Sequence, residues 1–375
     1  MNESLWAEEL LAKIDEKYRH VAARSADKIP YTTGKAGRFD DWSSPDKICW
    51  WTNGFWGGLL WQLYHRSGDE AYKAAALVIE EKLDENLMRA DGMDHDSGFK
   101  WLLTSGANYQ LTKSEASKNR LLLAANNLAG RFNLKAGLIR AWNDPGDGSN
   151  AGLAIIDCMM NLPLLYLASD LTKDPRFTQI AVCHAGRAKD AFVRKDGSVN
   201  HIVTFDPASG AVTGSLGGQG MQEGSCWSRG LSWAVYGFTL SYLHTKMKPF
   251  LDTACRAADY ALAHIPESGL LPVDYAQDPA LDWEDDCAGA ITACGLLDLS
   301  KVCEGEKAGS CRAAAMKLLI ALADKRLSLD PDTDYLLSHC SAAYHEERHN
   351  YPIVYADYYF VEALMKLADK ELFLW

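Results

Sequence analysis

The chain has 375 residues, a formal net charge of −12 and a sequence pI near 5.3, and 48% of its residues are hydrophobic. This composition provides for a large core, and the acidic balance argues against nucleic acid or an anionic membrane surface as a partner. The N-terminal residues lack a basic segment followed by an apolar run, and no stretch of about 18 uncharged apolar residues occurs. We therefore expect a cytoplasmic protein with no membrane partner.

The ten cysteines are scattered along the chain without any Cys-x-x-Cys spacing. Most of them lie inside helical patterns. This distribution favours reduced, buried thiols over a disulfide framework or a zinc site.

A repeated helical pattern organises the chain. The spacing of apolar residues predicts a first helix over residues 5–23, and a polar, turn-rich stretch follows to about residue 47. A unit then recurs that consists of a glycine, a helix rich in aromatic residues and leucine, a short polar turn and a second helix. It predicts five helical hairpins, which begin near Gly54, Gly98, Gly152, Gly230 and Gly289.

The first helix and a last helix over residues 354–370 have no partner in these hairpins. If the two pair with each other, six hairpins close a ring. Strand-like stretches are few, chiefly residues 198–205 and 270–274. We therefore predict an all-α protein with an (α/α)6 barrel, formed as a single domain by residues 1–375, whose inner helices are apolar nearly all round.

One carboxylate stands in an otherwise apolar segment, Gly152–Tyr166, which we interpret as an inner helix. Asp157 is surrounded there by isoleucine and methionine. Burial of an ionised carboxylate is costly and raises its pKa toward the range useful for proton transfer. The acid that we pair with it is Asp96, in the tight turn of residues 94–99, where a helix-cap role is the alternative.

Tryptophan side chains near hydrogen-bonding groups in loops are typical of a carbohydrate cleft, where sugar rings rest on indole faces. Trp56 and Trp61 lie at helical spacing in an apolar run, and we assign them to the core. The residues that we assign to the cleft are Trp50, Trp51, Asn53, His95, Trp142, Asn143, His201, Gln219, Trp227, Arg229 and Trp233.

Two features of this set leave alternatives open. Arg229 opens an apolar helix, and its guanidinium suits either a substrate carboxylate or a structural salt bridge. The segment Gly214–Gly220, which includes Ser215 and Gly217, is rich in glycine but lacks the Gly-Lys-Ser/Thr ending of a phosphate-binding loop. We interpret it as a flexible loop that closes over a sugar.

The segment His345–His349 fits the H-E-x-x-H pattern of zinc-binding helices. Asn350, Tyr351 and Pro352 follow it directly and would end such a helix, and no third ligand is marked. We therefore predict no metal site.

Several segments together resemble the unsaturated glucuronyl hydrolases, family eighty-eight of the glycoside hydrolases. The resemblance covers about residues 40 to 370. The segments that carry it, in chain order, are Trp-Thr-Asn-Gly-Phe-Trp-Gly-Gly at 51–58, Asp-His-Asp-Ser-Gly-Phe at 94–99, Ile-Ile-Asp-Cys-Met-Met-Asn-Leu-Pro-Leu-Leu-Tyr at 155–166, and those at 219–233, 285–299 and 356–364.

The resemblance implies an (α/α)6 barrel and a substrate with a 4,5-unsaturated uronic acid at its non-reducing end. It also implies hydration of the enol ether, with Asp157 as general acid and base and Asp96 as its partner, which holds ring hydroxyls and helps to keep Asp157 protonated. No metal or organic cofactor is implied, and we expect a monomer or weak homodimer. The positions that match substrate-contacting residues are Trp142, His201, Gln219, Trp227, Arg229 and Trp233.

Three alternatives accompany this prediction. The unsaturated rhamnogalacturonyl hydrolases share the barrel and the acid pair, a sugar 2-epimerase on this barrel would need histidines such as His201 and His339, and a helical-repeat scaffold would have no reason to bury Asp157. The segment of residues 339–350 also lacks the serine- and lysine-containing stretch with which some family members accommodate sulfated substrates. The segment therefore gives no support for a preference for sulfated sugars, and the sugar that follows the uronate stays open.

Overall fold

The computed structural model describes residues 2–375, and these are mostly helical. Short 3-10 turns cover Trp51–Gly54, Ala90–Gly92 and Ile156–Met160, and a π-helix covers Gly98–Gly106. The α-helices are α1 (Glu3–Arg24), α2 (Phe55–Ser67), α3 (Glu70–Lys82), α4 (Asp84–Leu87), α5 (Ala107–Thr112), α6 (Glu115–Gly130), α7 (Leu162–Thr172), α8 (Pro175–Ala191), α9 (Ser228–Thr245), α10 (Lys248–His264), α11 (Asp286–Val302), α12 (Gly305–Lys325) and α13 (Val354–Leu367).

The helices form two concentric rings. The inner ring runs α2, the π-helix with α5, α7, α9, α11 and α13, and α13 packs against α2 to close it. Helices α3, α6, α8, α10 and α12 pack outside the inner helices that precede them, and α1 packs outside α13. Helices α9, α11 and α13 are buried almost all round, as inner helices must be. The predicted (α/α)6 fold class is confirmed.

The segment of residues 152–166 is not one helix, contrary to our prediction. It begins as strand β3 (Leu153–Ile155), passes through a 3-10 turn that contains Asp157, and becomes helical only at Leu162. Strand β3 pairs with β4 (Ile202–Phe205), which pairs with β5 (Val212–Leu216). A buried strand and a buried helix are both continuous apolar runs, so periodicity does not separate them.

The other strand predictions had mixed outcomes. Residues 198–205 contain β4, whereas residues 270–274 form only isolated bridges, including one between Trp227 and Asp274. The remaining strands are the two-residue pair β1 (Phe132–Asn133) and β2 (Leu138–Ile139).

Three hairpins turn from the inner to the outer helix by the same local device. A threonine near the end of the inner helix (Thr112, Thr172 or Thr245) donates its hydroxyl to the carbonyl four residues earlier, at 2.6–2.9 Å. A lysine in the left-handed conformation follows and ends the helix. Glycine is the usual residue at such a position, because a Cβ atom is strained there.

Replacing these lysines with glycine is expected to stabilise the protein. Lys113, Lys173 and Lys246 have φ angles of 61°, 60° and 57°, and relief of this strain outweighs the added chain entropy of glycine, so each change should add about 0.5–1 kcal/mol to the free energy of unfolding. Urea denaturation measures it. The matched control is Gly68→Ala at the equivalent turn, where φ is 70°, which should destabilise. Destabilisation by all three glycine variants would contradict this explanation.

A buried ionic cluster lies near the C-terminal end of α13. The Lys366 ammonium donates to Asp298 at 2.8 Å, and Glu362 accepts from the Trp375 indole at 2.7 Å and from the Tyr236 hydroxyl. Burial opposes the charge of Lys366, but Asp298 and Glu362 outweigh it and raise its pKa above the usual range. The cluster satisfies polar groups that would be costly if they were buried alone.

The core predictions for Trp56 and Trp61 are confirmed, because both side chains are fully buried. Six of the ten cysteines are buried, three are partly buried and Cys183 is exposed. Within residues 2–375, no helix is long and apolar enough to cross a membrane.

Candidate active site

A cavity of about 400 Å³ opens beside the two predicted acids. Asp96 and Asp157, which are 61 residues apart in the chain, both line it. Trp50 and Trp142 stand at its rim, each 41% exposed. The lining residues are Tyr31, Cys49, Trp50, Trp51, Asp94, His95, Asp96, Trp142, Ile155, Asp157, His201, Gln219, Ala342, Glu346 and Tyr355.

Two parts of the fold place these side chains. The first is the β3–β4–β5 sheet: Asp157 follows β3, His201 precedes β4 and Gln219 follows β5. The Ile156 amide donates to the His201 carbonyl at 3.1 Å, which fixes the two segments together. The second is the inner ring, in which α2, the π-helix, α7 and α13 all begin beside the cavity. Their positive dipole ends favour anions there.

Asp157 has the electrostatic properties that the sequence predicted. Burial raises the pKa of this carboxyl to about 7, against the opposing effect of the Arg229 charge. Its Oδ1 atom faces the His201 Nε2 atom at 3.7 Å and accepts no hydrogen bond from residues 2–375. The carboxyl can therefore hold a proton near neutral pH and is free to contact a ligand.

His201 is held in one orientation and one tautomer. Its Nδ1 atom accepts from the Gln219 amide at 2.9 Å, so the proton is on Nε2, which points toward Asp157. Burial lowers the pKa of His201 to about 3, so the ring is neutral. It packs on the Trp227 indole with ring centroids 4.4 Å apart.

More titratable groups surround Asp96 than surround Asp157. Burial, followed by the negative charges of Asp94 and Asp157, raises the pKa of Asp96 well above its usual range, and the Lys100 ammonium opposes this. The His95 Nε2 atom lies 3.4 Å from Asp96 Oδ2, and burial lowers the pKa of His95 to about 4, so this imidazole is neutral too. Because the two acids face one cavity and interact, their protons dissociate in two steps that belong to the pair rather than to either residue.

Three predicted cleft residues lie behind the cavity wall. Arg229 is fully buried and pairs with Asp285 at 2.9 Å, and its guanidinium also donates to the Ala342 carbonyl at 2.6 Å. Trp227 is buried between His201 and Arg229. Trp233 is in the core, 5.3 Å from the Phe99 ring centroid, because it lies one turn into the buried helix α9. In this structure the salt-bridge alternative for Arg229 is therefore realised.

Three further predicted residues are also away from the cavity lining. The buried Asn53 amide donates to the carbonyls of Lys47 and Ile48 at 3.0 and 2.9 Å, and so fixes the loop that carries Trp50. Ser215 donates to Glu223 at 3.1 Å. The Gly217 carbonyl lies 3.3 Å from His201 Nδ1. Gly217 lies beside His201 without bonding to it, because this Nδ1 atom carries no proton, whereas the Ser215 hydroxyl is engaged by Glu223.

The loop residue Asn143 is likewise a structural anchor. Its amide donates to the Met93 carbonyl at 2.9 Å and its oxygen accepts from Arg131 at 2.8 Å. These bonds attach the Trp142 loop to the segment that precedes Asp96. Trp142 itself lines the cavity at its rim.

The sequence interpretation missed several lining residues. Tyr31 and Tyr355 come from a turn and from the first turn of α13, and their hydrophobic surroundings give no sign of a site. Glu346 is in a segment that the sequence marked only by its zinc pattern and by its lack of a serine- and lysine-containing stretch. A loop carboxylate beside aromatic residues was the one signal that was available.

The zinc pattern does not take the geometry that it requires. Residues 345–349 form turns and bends rather than a helix. His345 bonds to the Met221 carbonyl at 2.7 Å, whereas His349 stacks on Trp283 with ring centroids 3.8 Å apart. The two imidazoles are thus engaged separately.

Comparisons with known proteins place this architecture in a family. The model of Glycosyl Hydrolase Family 88 matches residues 17–370. An unsaturated glucuronyl hydrolase of Bacillus sp. (strain GL1) is 36% identical over 326 residues, covering 84% of this chain and 86% of the relative. An unsaturated chondroitin disaccharide hydrolase of Streptococcus pyogenes serotype M1 is 31% identical, covering 84% and 80%.

A solved structure agrees with these relatives. The crystal structure of an unsaturated glucuronyl hydrolase from Bacillus sp. GL1, described as responsible for the degradation of glycosaminoglycan, superposes with a TM-score of 0.88 at 31% identity. The match covers 97% of this chain and 96% of that one. The resemblance seen in the sequence motifs is confirmed, and the chain belongs to glycosyl hydrolase family 88.

Proposed function

We propose that this chain removes a 4,5-unsaturated glucuronic acid from the non-reducing end of lyase-generated oligosaccharides, of glycosaminoglycan or related origin, by hydration of the enol ether. The observation that carries the proposal is the Asp157 carboxyl, whose pKa of about 7 is set by burial at a cavity flanked by exposed tryptophans. Such a group delivers a proton at neutral pH. Trp50 and Trp142 at the rim provide faces for sugar rings.

The proposed reaction assigns each proton. Protonated Asp157 gives its proton to C4, which leaves positive charge shared by C5 and the ring oxygen. Water adds at C5 and loses a proton to the Asp157 carboxylate, so the carboxyl is regenerated. The resulting hemiketal opens, and the C1 hemiacetal then releases the neighbouring sugar as an alcohol. Asp96 holds the ring hydroxyls, and the neutral His201 orients Asp157.

The charges around the cavity restrict the sugar that follows the uronate. Among residues 2–375, the lining contains four acids and no lysine or arginine, and both imidazoles are neutral. The helix N-termini and the proton on Asp157 offset the single carboxylate of the uronate. Glu346, exposed at the wall, would repel a second anion. We therefore propose an uncharged sugar at this position.

The alternatives have less support. The epimerase alternative pairs His201 with His339, whereas His339 bonds to Ser338 at 2.8 Å and does not line the cavity. The two relatives described above carry glucuronyl and chondroitin disaccharide names, which does not favour the rhamnogalacturonyl group. We retain the predictions of a single catalytic barrel, a cytoplasmic location and a monomer or weak homodimer.

The test is a panel of lyase-generated disaccharides from chondroitin, hyaluronan, heparin, gellan and pectin. We expect loss of the ultraviolet absorbance of the conjugated C4=C5 carboxylate, fastest with unsulfated members. Glu346→Gln should raise the rate ratio of sulfated to unsulfated substrate about fivefold, as expected for one exposed charge. Glu347→Gln, on a neighbouring exposed residue that does not line the cavity, is the matched control. If every panel member keeps its absorbance, the proposed function is wrong.

A further inference from the structure

Asn161 occupies a buried position between the two acids. It is fully buried at the end of the 3-10 turn that carries Asp157, directly before α7. Its Nδ2 atom donates to Asp96 Oδ1 at 3.3 Å and to the Asp157 backbone carbonyl at 3.3 Å. Its Oδ1 atom accepts from the Phe99 amide at 3.0 Å. One side chain thus connects the segments of both acids.

The geometry requires an amide and close contact. The Phe99 N–H is in the first turn of the π-helix, where amides have no partner within the helix, and Asn161 supplies one. Gly98 permits the approach, because a Cβ atom there would lie 2.8 Å from both Cα and Oδ1 of Asn161. A π-helix is a costly element that recurs at functional sites. Here it starts two residues after Asp96.

We infer that Asn161 is a positioning residue that holds the Asp96 carboxylate in a fixed place relative to Asp157. The inference rests on the proposed function for its effect on turnover, but the contacts exist without a substrate. Asn161 is also the only side-chain amide among residues 2–375 that donates to Asp96. Replacement by an apolar residue leaves both the Asp96 carboxylate and the Phe99 amide without this partner.

The hydrogen bond from Asn161 changes the pKa of the Asp96 carboxyl in one direction. An N–H donor favours the ionised form of the carboxyl that accepts from it. Loss of the donor therefore makes Asp96 harder to ionise. If catalysis uses the acid pair with one proton, the acidic limb of the rate profile moves to higher pH when the donor is lost.

The first test is the kcat/KM profile of Asn161→Ala with an unsaturated disaccharide. We expect kcat to fall about 10- to 100-fold, as for a lost supporting contact, and the acidic limb to rise by about half to one pH unit. Gly98→Ala pushes on Asn161 from the other side and should move the limb the same way. Asn108→Ala removes an equally buried amide that bonds to Glu80 and Ser117 instead, and should leave the profile in place. An unmoved limb in both Asn161→Ala and Gly98→Ala would overturn the inference.

The second test needs no substrate. A double-mutant cycle of Asn161→Ala and Asp96→Asn, measured by denaturation, gives the coupling between the two side chains. We expect this coupling to increase with rising pH, because the Asn161 amide favours the ionised form of the Asp96 carboxyl. A coupling that is independent of pH would overturn the inference even if the wild-type protein turns over substrate. Conversely, a pH-dependent coupling in a protein without turnover would contradict only the proposed function.

Discussion

Asp157→Asn is expected to abolish turnover while leaving the fold intact. Asparagine keeps the shape of the side chain but cannot donate a proton to C4, and general acid catalysis contributes about 10²- to 10⁴-fold. The measurement is the loss of substrate absorbance, with circular dichroism to verify the fold. In the wild type, kcat/KM should fall as pH rises above about 7, because burial sets the pKa of Asp157 to about 7 and the acid form is lost there. A variant with more than a tenth of wild-type activity would exclude Asp157 as the acid.

The same substitution is expected to stabilise the protein at neutral and alkaline pH. The folded-state pKa of Asp157 is about 7, whereas the ordinary value is 3.8. Below the lower value both states are protonated and there is no penalty. Between the two values only the unfolded state ionises, so stability falls with rising pH, and the penalty is complete above about pH 7.

Removing the carboxylate removes that penalty. We expect a gain of about 2 kcal/mol at pH 8, reduced from the full linkage value because the side chain is 13% exposed, and almost none at pH 4. Thermal unfolding at the two pH values measures it. Asp332→Asn, whose side chain is 88% exposed, is the control and should change little. If the variant is as stable as the wild type at pH 8, or less stable, then burial is not the cause of the raised pKa of Asp157.

Breaking the buried Arg229–Asp285 pair is the second change with a large expected effect. The side chains are 1% and 0% exposed and their charged atoms lie 2.9 Å apart. Arg229→Met leaves a buried carboxylate without its partner and also removes the donor to the Ala342 carbonyl. We expect a loss of about 3–5 kcal/mol in the free energy of unfolding, which is the usual cost of an uncompensated buried charge.

Two further variants separate the charge from the packing. Asp285→Asn should destabilise by a similar amount, because it strands the guanidinium. Arg229→Met combined with Asp285→Asn should cost less than the sum of the two single changes, since no charge remains unpaired. Urea denaturation supplies all three values. A single-variant loss below about 1 kcal/mol would show that the pair is solvated rather than buried.

The two acids illustrate how far sequence reasoning reaches in this chain. A carboxylate inside an apolar run is costly to bury whether the run is a strand or a helix, so Asp157 is identifiable although residues 152–166 are not one helix as predicted. Asp96 was marked by its turn and by the family motif. That the two line one cavity depends on contact between the π-helix and the segment before α7, and a single sequence has no local signal for it.

For the tryptophans, in contrast to the two acids, the sequence did not separate site residues from core residues. Trp142 and Trp233 were both assigned to the cleft, but only Trp142 is at the cavity, because its loop projects to the rim whereas Trp233 lies within a helix that is buried all round. Aromatic residues pack equally well in a core and against a sugar ring. A tryptophan therefore indicates a flat apolar contact surface. Only the surrounding backbone determines whether core residues or a ligand cover that surface.

The sequence alone determined the number of helical hairpins, the closed all-α ring, the family and Asp157 as a carboxyl whose burial makes it an acid near neutral pH. The hairpins and the ring follow from local periodicity and the acid follows from the free energy of burying a charge, which both depend on neighbours in the chain, whereas the family follows from the resemblance of the motifs. Only the tertiary structure decided that Arg229 pairs with Asp285, that Glu346 faces the cavity and that Asn161 connects the two acids. Each of these contacts joins residues far apart in sequence, and their partners are chosen by how the inner helices pack around one axis.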